Sequence, residues 1–219
     1  MNIEIEEFQK RVGIRPGFTA RVNSIVSLRE LDPKHISGLQ VMPRNYLESL
    51  IRNISLEGDE EHKPYAECEI SLMRIDPHSL VIGQTFIQRE KYQSILEGFG
   101  LLLDKDFCVP RGVAKKCALI IFGKTFKGDD AVAHYLPPII EATNGTQFLI
   151  DGIHRSFIVK NTGTTIESII LKNVKTPLPC EAMDWESISF VDEKPPRQER
   201  FRNLQPQLFR NLKFTGIDG

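Results

Sequence analysis

The feature that most constrains this chain is the stretch Phe148-Leu-Ile-Asp-Gly-Ile-His-Arg-Ser-Phe-Ile-Val-Lys160. The apolar run over residues 148–150 predicts a short buried strand. Asp151-Gly152 ends it, and a helical segment follows with His154 and Arg155 in its first turn. A strand that feeds a helix through a glycine presents bare backbone N–H groups, because first-turn donors have no intrahelical acceptor and the helix dipole favours negative charge there. A His and an Arg at that opening point to phosphate.

The flanking residues place this turn in a wider pattern. Asn144-Gly145 is a strong hairpin signal between two strands, and Pro137 and Pro138 keep residues 136–141 extended. The helix is expected over 153–161, ending at Gly163, with a β-branched-rich strand over 166–174. Upstream, 69–77 reads as a strand with a stop, and 81–88 as a loop or second short strand. Residues 89–98 read as a helix with Tyr92, Ile95 and Leu96 on one face and Gly98 ending it. Residues 117–122 read as a buried strand, and Gly128-Asp129-Asp130 marks a turn, so 100–135 is expected to be an inserted hairpin or lobe. Residues 1–64 read as an N-terminal extension with helices over 4–12 and around 46–55. Leu47, Leu50, Ile51 and Ile54 set the second helix's spacing, and a charged linker ends at Pro64. After Pro177 and Pro179, a short helix and strand are expected over 183–190. Phe201, Leu204, Leu208, Phe209 and Leu212 then keep helical spacing, divided at Pro206.

Composition narrows the class. The 219 residues carry a formal net charge of −1, which gives no global sign of nucleic-acid or membrane binding. The distribution is uneven. Lys194, Arg197, Arg200, Arg202, Arg210 and Lys213 face one acid, Glu199, within a single stretch. It reads either as a solvated tail helix or as a patch for DNA, RNA or a phosphorylated ligand. Cys68, Cys108, Cys117 and Cys180 form no C-x-x-C pair, and His35, His62, His78 and His134 fall outside metal-ligand spacing. The acidic start lacks a signal peptide's apolar region, and no apolar run approaches the ~18 residues of a membrane span. A cytoplasmic protein is expected, with no membrane partner, and residues 1–64 are a candidate protein-partner surface.

The order strand, I-D-P loop, helix, P-P-I-I, strand, D-G-x-H-R, helix, glycine, strand from Ile70 to Val174 resembles the ParB/sulfiredoxin-like superfamily. The closest part is 137–174. The resemblance implies an α+β fold: a small mixed-sheet core over 65–192, with an insertion near 100–135, an N-terminal helical extension over 1–64 and a basic C-terminal helical tail over 193–219. It also implies that the glycine turn and its helix hold nucleotide phosphates. Sulfiredoxins carry a cysteine where this chain has Ile153, so the peroxiredoxin-repair nucleophile is absent. The G-E-R-R of chromosome-partitioning proteins is not present either. The D-G-x-H-R form looks more like the branch with free-serine kinases and plasmid-borne ATPase/nuclease proteins. In that branch an acid near the opening strand acts as general base, and the candidates here are Asp76 and Glu90.

These readings converge on a set of site residues. Gly152 lets the backbone approach an anion, and Arg155 offers charged donors to phosphate oxygens. His154 is a hydrogen-bond donor or proton shuttle, and Ser156 a further first-turn donor. Asp151 either caps the helix or binds the Mg²⁺ that a nucleotide carries. Gln84 and Thr85, in the loop that faces this turn in the resembling proteins, are candidate ligand contacts. Gly123-Lys124-Thr125 lacks the preceding glycine spacing of a P-loop. The expected ligand is ATP or another NTP with Mg²⁺, and the expected reaction NTP hydrolysis or phosphoryl transfer. The alternative is a non-enzymatic DNA-associated regulator or defence-system component of the same fold.

Overall fold

Strand alternation and one close hairpin decide how the elements stack. The structure is a computed structural model that describes residues 2–13, 22, 24–104 and 118–215. It begins with β1 (Asn2–Glu4), α1 (Ile5–Val12) and β2 (Ser24–Val26). Next come β3 (Gly38–Val41) and the amphipathic α2 (Arg44–Arg52), which buries Tyr46, Leu47, Leu50 and Ile51. The middle of the chain forms β4 (Glu69–Ile75), β5 (Leu80–Ile82), β6 (Phe86–Gln88) and α3 (Arg89–Asp104). Two hairpins follow: β7 (Leu119–Lys124) with β8 (Asp130–Tyr135), then β9 (Ile139–Thr143) with β10 (Thr146–Asp151). The chain continues through α4 (Ile153–Asn161), β11 (Ile166–Lys172), β12 (Ser189–Val191) and the one-turn α5 (Arg197–Arg200).

The molecule is α+β, with two five-stranded mixed sheets. One has the order β1-β2-β8-β7-β3 and the other β4-β11-β9-β10-β5; β12 and β6 form a separate pair. The first sheet joins two regions that look independent in the sequence. Strands β1–β3, from the first 64 residues, pair with β7 and β8, from the segment expected to be an insertion. Residues 1–64 thus supply three strands as well as the two expected helices, and Phe8, Val12, Ile25, Leu50, Ile51 and Ile54 among them are buried.

Both faces of the central strands β9 and β11 are buried, so their side chains feed two cores. Ile139, Ile169 and Leu171 face a core that includes Phe8 of α1, Leu50 and Ile51 of α2, and Ile25, Ile120 and Val132 of the first sheet. The alternate residues, Ile140 and Ile170, face a second core with Ile82, Leu149, Met183 and Trp185, onto which α4 packs through Ile153 and Phe157. A one-residue slip of β9 or β11 would exchange these faces, so both cores fix the register.

The β9–β10 hairpin turns at Asn144 and Gly145 with φ of 51° and 81°, the two positive values that a type I′ turn requires. At its other end the register shifts between Leu149 and Asp151, so Ile150 is an extra residue opposite β9. A bulge here bends the strand just before Gly152 and re-aims the chain into α4.

Two expectations change. Helix α3 runs through Gly98 to Asp104; a helical glycine costs only about 1 kcal/mol relative to alanine and does not compel a stop. The C-terminal segment is not a pair of helices but an extended strap with brief turns at 197–200, 206–208 and 212–215. Its backbone bonds go outward: Thr85 N–H donates to Arg200 O, Gln205 N–H to Pro179 O, Glu57 N–H to Phe209 O and Asn211 N–H to Ser55 O. The helical spacing of its apolar residues reflects where the strap touches the core rather than a helical period.

The strap is fastened by Arg210, whose side chain is 1% exposed against 2% for its partner Glu141 on β9. Its Nε donates to Glu141 Oε1 at 2.9 Å and its Nη2 to Oε2 at 3.1 Å. The remaining N–H groups reach the carbonyls of Thr176, Pro177 and Leu208. Tyr65 Oη also donates to Glu141 Oε1, at 2.7 Å. Cys68 and Cys180 are buried free thiols, while Cys108 and Cys117 lie outside the described residues. Among the described residues no helix is long and apolar enough to cross a membrane.

Candidate functional site

The turn that the sequence singles out forms as expected. Gly152 sits at φ +94° as the residue preceding α4, and Ser156 N–H donates to Gly152 O to close the first helical turn. Gly152 has a packing reason as well. A Cβ there would lie 2.9 Å from the Pro138 ring, so only glycine fits between β10 and the Pro137-Pro138 approach to β9. No side chain caps α4, which leaves its first-turn N–H groups without an internal acceptor.

These groups open on a cavity of about 470 Å³, a size suited to a small ligand. Its floor comes from residues 148–155 and its wall from Gly83, Gln84 and Phe86. A Cβ on Gly83 would meet Cys180 Sγ at 2.6 Å and Phe148 Cζ at 2.8 Å, so this glycine lets the wall close on the floor. The strap forms the opposite side, where Phe201 and Phe209 meet edge to face at 4.8 Å.

The lining is strongly basic. Lys194, Arg197, Arg200, Arg210 and Lys213 face the cavity, and of the basic strap residues only Arg202 does not. Arg29, from the turn after β2, Lys91 on α3 and Arg155 on α4 complete the set. The acids of the lining are Glu57 and Asp151, and each is held by an arginine: Arg197 Nη1 to Glu57 at 2.7 Å, and Arg155 Nη2 to Asp151 at 3.0 Å. Arg200 has its guanidinium pKa lowered, first by burial and then by neighbouring Arg197.

The named side chains divide. Arg155 lines the cavity, but its guanidinium is directed into the protein. It donates to Asp151 and to the Leu136 carbonyl and lies 5.2 Å from the centre of the Tyr135 ring. Burial opposes its charge, but Tyr135 and Asp151 outweigh that and hold it protonated. Arg155 therefore ties α4 to the β8–β9 joint, and its charge adds to the cavity's field from that fixed position.

Asp151 does not cap the helix; its Oδ2 accepts from Arg155 Nη2 instead. His154 is buried, and its Nε2 accepts the Gln88 N–H at 3.1 Å. Burial first, then the cations of Lys91, Arg29, Lys194 and Arg155, push its pKa down to about 3, so the imidazole is neutral near pH 7. That fits a fixed acceptor and not a proton shuttle.

Ser156 is 0% exposed, does not line the cavity, and its Oγ has no hydrogen-bond partner. Gln84 lines the wall while its Nε2 donates to Phe86 O at 2.9 Å. Thr85 instead anchors the strap through its bonds to the Arg200 carbonyl.

The two acids proposed as general base lie outside the cavity lining. Asp76 caps the turn after β4 by accepting from His78 N–H at 3.0 Å, and Glu90 is an exposed residue in the first turn of α3. Each follows the strand-to-turn grammar that drew attention to it, but its local role is explained without a ligand. Of the remaining histidines, His35 bonds Asp32, His62 bonds Thr176, and His134 meets Tyr46 Oη in the core, while His78 is exposed in the turn that Asp76 caps. Among the described residues no group of three or more His, Cys, Asp or Glu is arranged to hold a metal ion.

Sequence reasoning missed Gly83, Arg29, Lys91 and the Glu57–Arg197 pair. Gly83 was within reach, since Leu80-Val-Ile-Gly83 repeats the strand-then-glycine pattern of β10. Arg29 and Lys91 carry no local signal, because only tertiary folding brings them to the α4 opening. No family model, curated protein or solved structure matches this chain.

Proposed function

We propose that this protein binds a nucleotide, with a phosphate at the N-terminus of α4 and the rest of the ligand between the Phe86–Phe148 side and the Phe201–Phe209 strap. The observation that carries this reading is the convergence of cations. A chain of net charge −1 gathers eight Lys and Arg side chains around one small cavity, against two acids that are already paired. Uncapped helix N–H groups and a basic surround are what a phosphate requires. Aromatic walls suit the flat face of a base. The reading also keeps the proposal that the chain is a ParB/sulfiredoxin-like protein, whose strand–glycine–helix turn has this phosphate role. The free thiols of Cys68 and Cys180 support a reducing, cytoplasmic setting.

The role proposed is binding without turnover. Hydrolysis or phosphoryl transfer needs a group that activates the acceptor. Among the described residues the cavity's acids are bound to arginines, His154 is held neutral as an acceptor, and Asp76 and Glu90 lie elsewhere. Mg²⁺ enters this reading only on the nucleotide's own phosphates. The strap favours a small ligand over a DNA or RNA duplex, because five of its six cations converge on one cavity.

Calorimetric titration of the full chain with ATP, with and without Mg²⁺, tests the reading, followed by a phosphate-release assay. Saturable binding without release is expected. No binding would refute the site, and Mg²⁺-dependent release would refute the binding-only role. Binding confined to long oligonucleotides, and weakening steeply with salt, would favour the nucleic-acid regulator instead.

A further inference from the structure

The C-terminal strap is built into the candidate site, and this carries an inference that rests on the nucleotide-binding reading. We propose that Arg200 and Lys213 are specificity-determining residues that read the anionic charge a ligand carries beyond the phosphate at α4.

Three observations lead there. First, the strap's position is fixed before any ligand arrives. The Arg200 carbonyl accepts from Thr85 N–H and Oγ1, and Gln84 and Phe201 form a β-bridge. Asn211 bonds Ser55, and Arg210 is locked to Glu141. Arg200, the last residue of α5, and Lys213, beyond the Arg210 fastening, are thereby held on the cavity lining.

Second, the strap's other arginines on the cavity lining are occupied. Arg197 pairs with Glu57 and stacks over Phe209 at 4.3 Å, and Arg210 is used up by Glu141 and three carbonyls. These two residues shape and fasten the wall. Arg200 has a different environment. Its Nε donates to the Pro195 carbonyl, no salt bridge ties it to an acid among the described residues, and Arg197 adds like charge beside it. One bond to a strap carbonyl leaves most of the guanidinium's donors for a polyanion.

Third, the α4 opening alone is limited. A helix N-terminus offers about half a unit of positive charge and first-turn donors for a single phosphate group. It cannot by itself distinguish a monophosphate from a longer chain. Cations on the far wall can, because each added phosphate brings further charge within their reach.

The test is a charge ladder on the full chain. AMP, ADP, ATP and inorganic triphosphate are titrated by calorimetry at fixed ionic strength without Mg²⁺, against the wild type, Arg200→Gln, Lys213→Gln and the double variant. The expected result is an affinity that rises at least tenfold from AMP to ATP in the wild type. In the double variant that rise flattens to about threefold or less, AMP affinity falls far less than ATP affinity, and the ligand-free melting temperature stays within error.

Equal affinity for AMP and ATP in the wild type would overturn this inference but leave the nucleotide site standing. A steep ladder that survives the double substitution would overturn it as well, by locating the charge reader elsewhere. If nothing on the ladder binds, the nucleotide reading itself fails, and this inference with it. Loss of AMP binding in the variants would reassign Arg200 and Lys213 to the α4 phosphate and refute their separate role.

Discussion

Arg210→Met tests the fastening on which the whole site depends. The substitution removes a guanidinium whose N–H groups are all used and leaves Glu141 charged, 2% exposed, with Tyr65 as its remaining donor. Burial already pushes the Glu141 carboxyl upward, against the pull of Arg210 and the Tyr65 hydroxyl. Removing one partner of a buried ion pair costs about 3–5 kcal/mol, because the other charge remains desolvated. With a urea m-value of about 2 kcal/mol/M, a loss of 4 kcal/mol moves the midpoint down by about 2 M. Glu141→Gln alone should be nearly as costly, since it strands the arginine. The double variant Glu141→Gln/Arg210→Met removes both charges and should lose clearly less than the two single losses added together, with a coupling of about 2 kcal/mol or more. Urea unfolding followed by tryptophan fluorescence reads all four proteins, with Trp185 as the reporter in the core beneath α4. Additivity within about 0.5 kcal/mol would refute the claim that this pair acts as one unit. A loss under 1 kcal/mol for Arg210→Met would show that the strap is held by its backbone bonds alone.

Other perturbations separate structural from binding roles. Ser156→Ala removes a buried hydroxyl without a partner and should raise stability by about 1 kcal/mol in the same assay; a loss of that size would reveal a partner for Oγ. Gly83→Ala forces a methyl group onto Phe148 and Cys180, and overpacking of this kind costs about 1–3 kcal/mol. It should weaken ATP binding along with stability, so unchanged affinity would separate this wall from the site. His154 is neutral in the fold, with a pKa of about 3 against 6.5 when free. The unfolded chain therefore takes up a proton first as pH falls, and stability should decline by up to about 1.4 kcal/mol per unit from pH 6.5 toward 3. His154→Gln keeps an acceptor for Gln88 and should flatten that part of the denaturation profile. An unchanged profile would rule out His154 as its source.

The local grammar of the chain was legible, but its tertiary groupings were not. Asn144-Gly145, Gly152 and Gly163 each impose a backbone geometry that few other residues tolerate, so the hairpin and the bounds of α4 followed from residue type alone. The extended 136–141 and the β-branched strand over 166–174 were visible as well, but which core each face meets depends on partners far along the chain. Nothing near β2 or β3 signals pairing with β8 and β7, so an extension and an insertion looked separate where they share a sheet. The site divides in the same way. The turn was found because strand, glycine and helix are adjacent in sequence. The roles given to Arg155 and Asp151 failed to anticipate that the two residues, four apart across the start of α4, would satisfy each other.

That mutual satisfaction changes where the binding energy must come from. An arginine at a helix N-terminus looks like the anion's partner, yet Arg155 has a carboxylate, a carbonyl and an aromatic ring around it before any ligand arrives. Detaching it to meet a phosphate would strand Asp151, at a cost comparable to the gain. The preorganised donors that remain are the α4 backbone N–H groups, whose positions are fixed by Gly152 against Pro138 and by the Ile150 bulge. Around them the cations act mainly through their summed field, which adds to the larger effect of burial in keeping His154 neutral beside a cavity meant for negative charge. On this account Arg155→Ala should unfold or loosen the β8–β9 joint before it selectively weakens a ligand. A folded Arg155→Ala protein of unchanged melting temperature that has lost ATP binding would return the arginine to direct contact with phosphate.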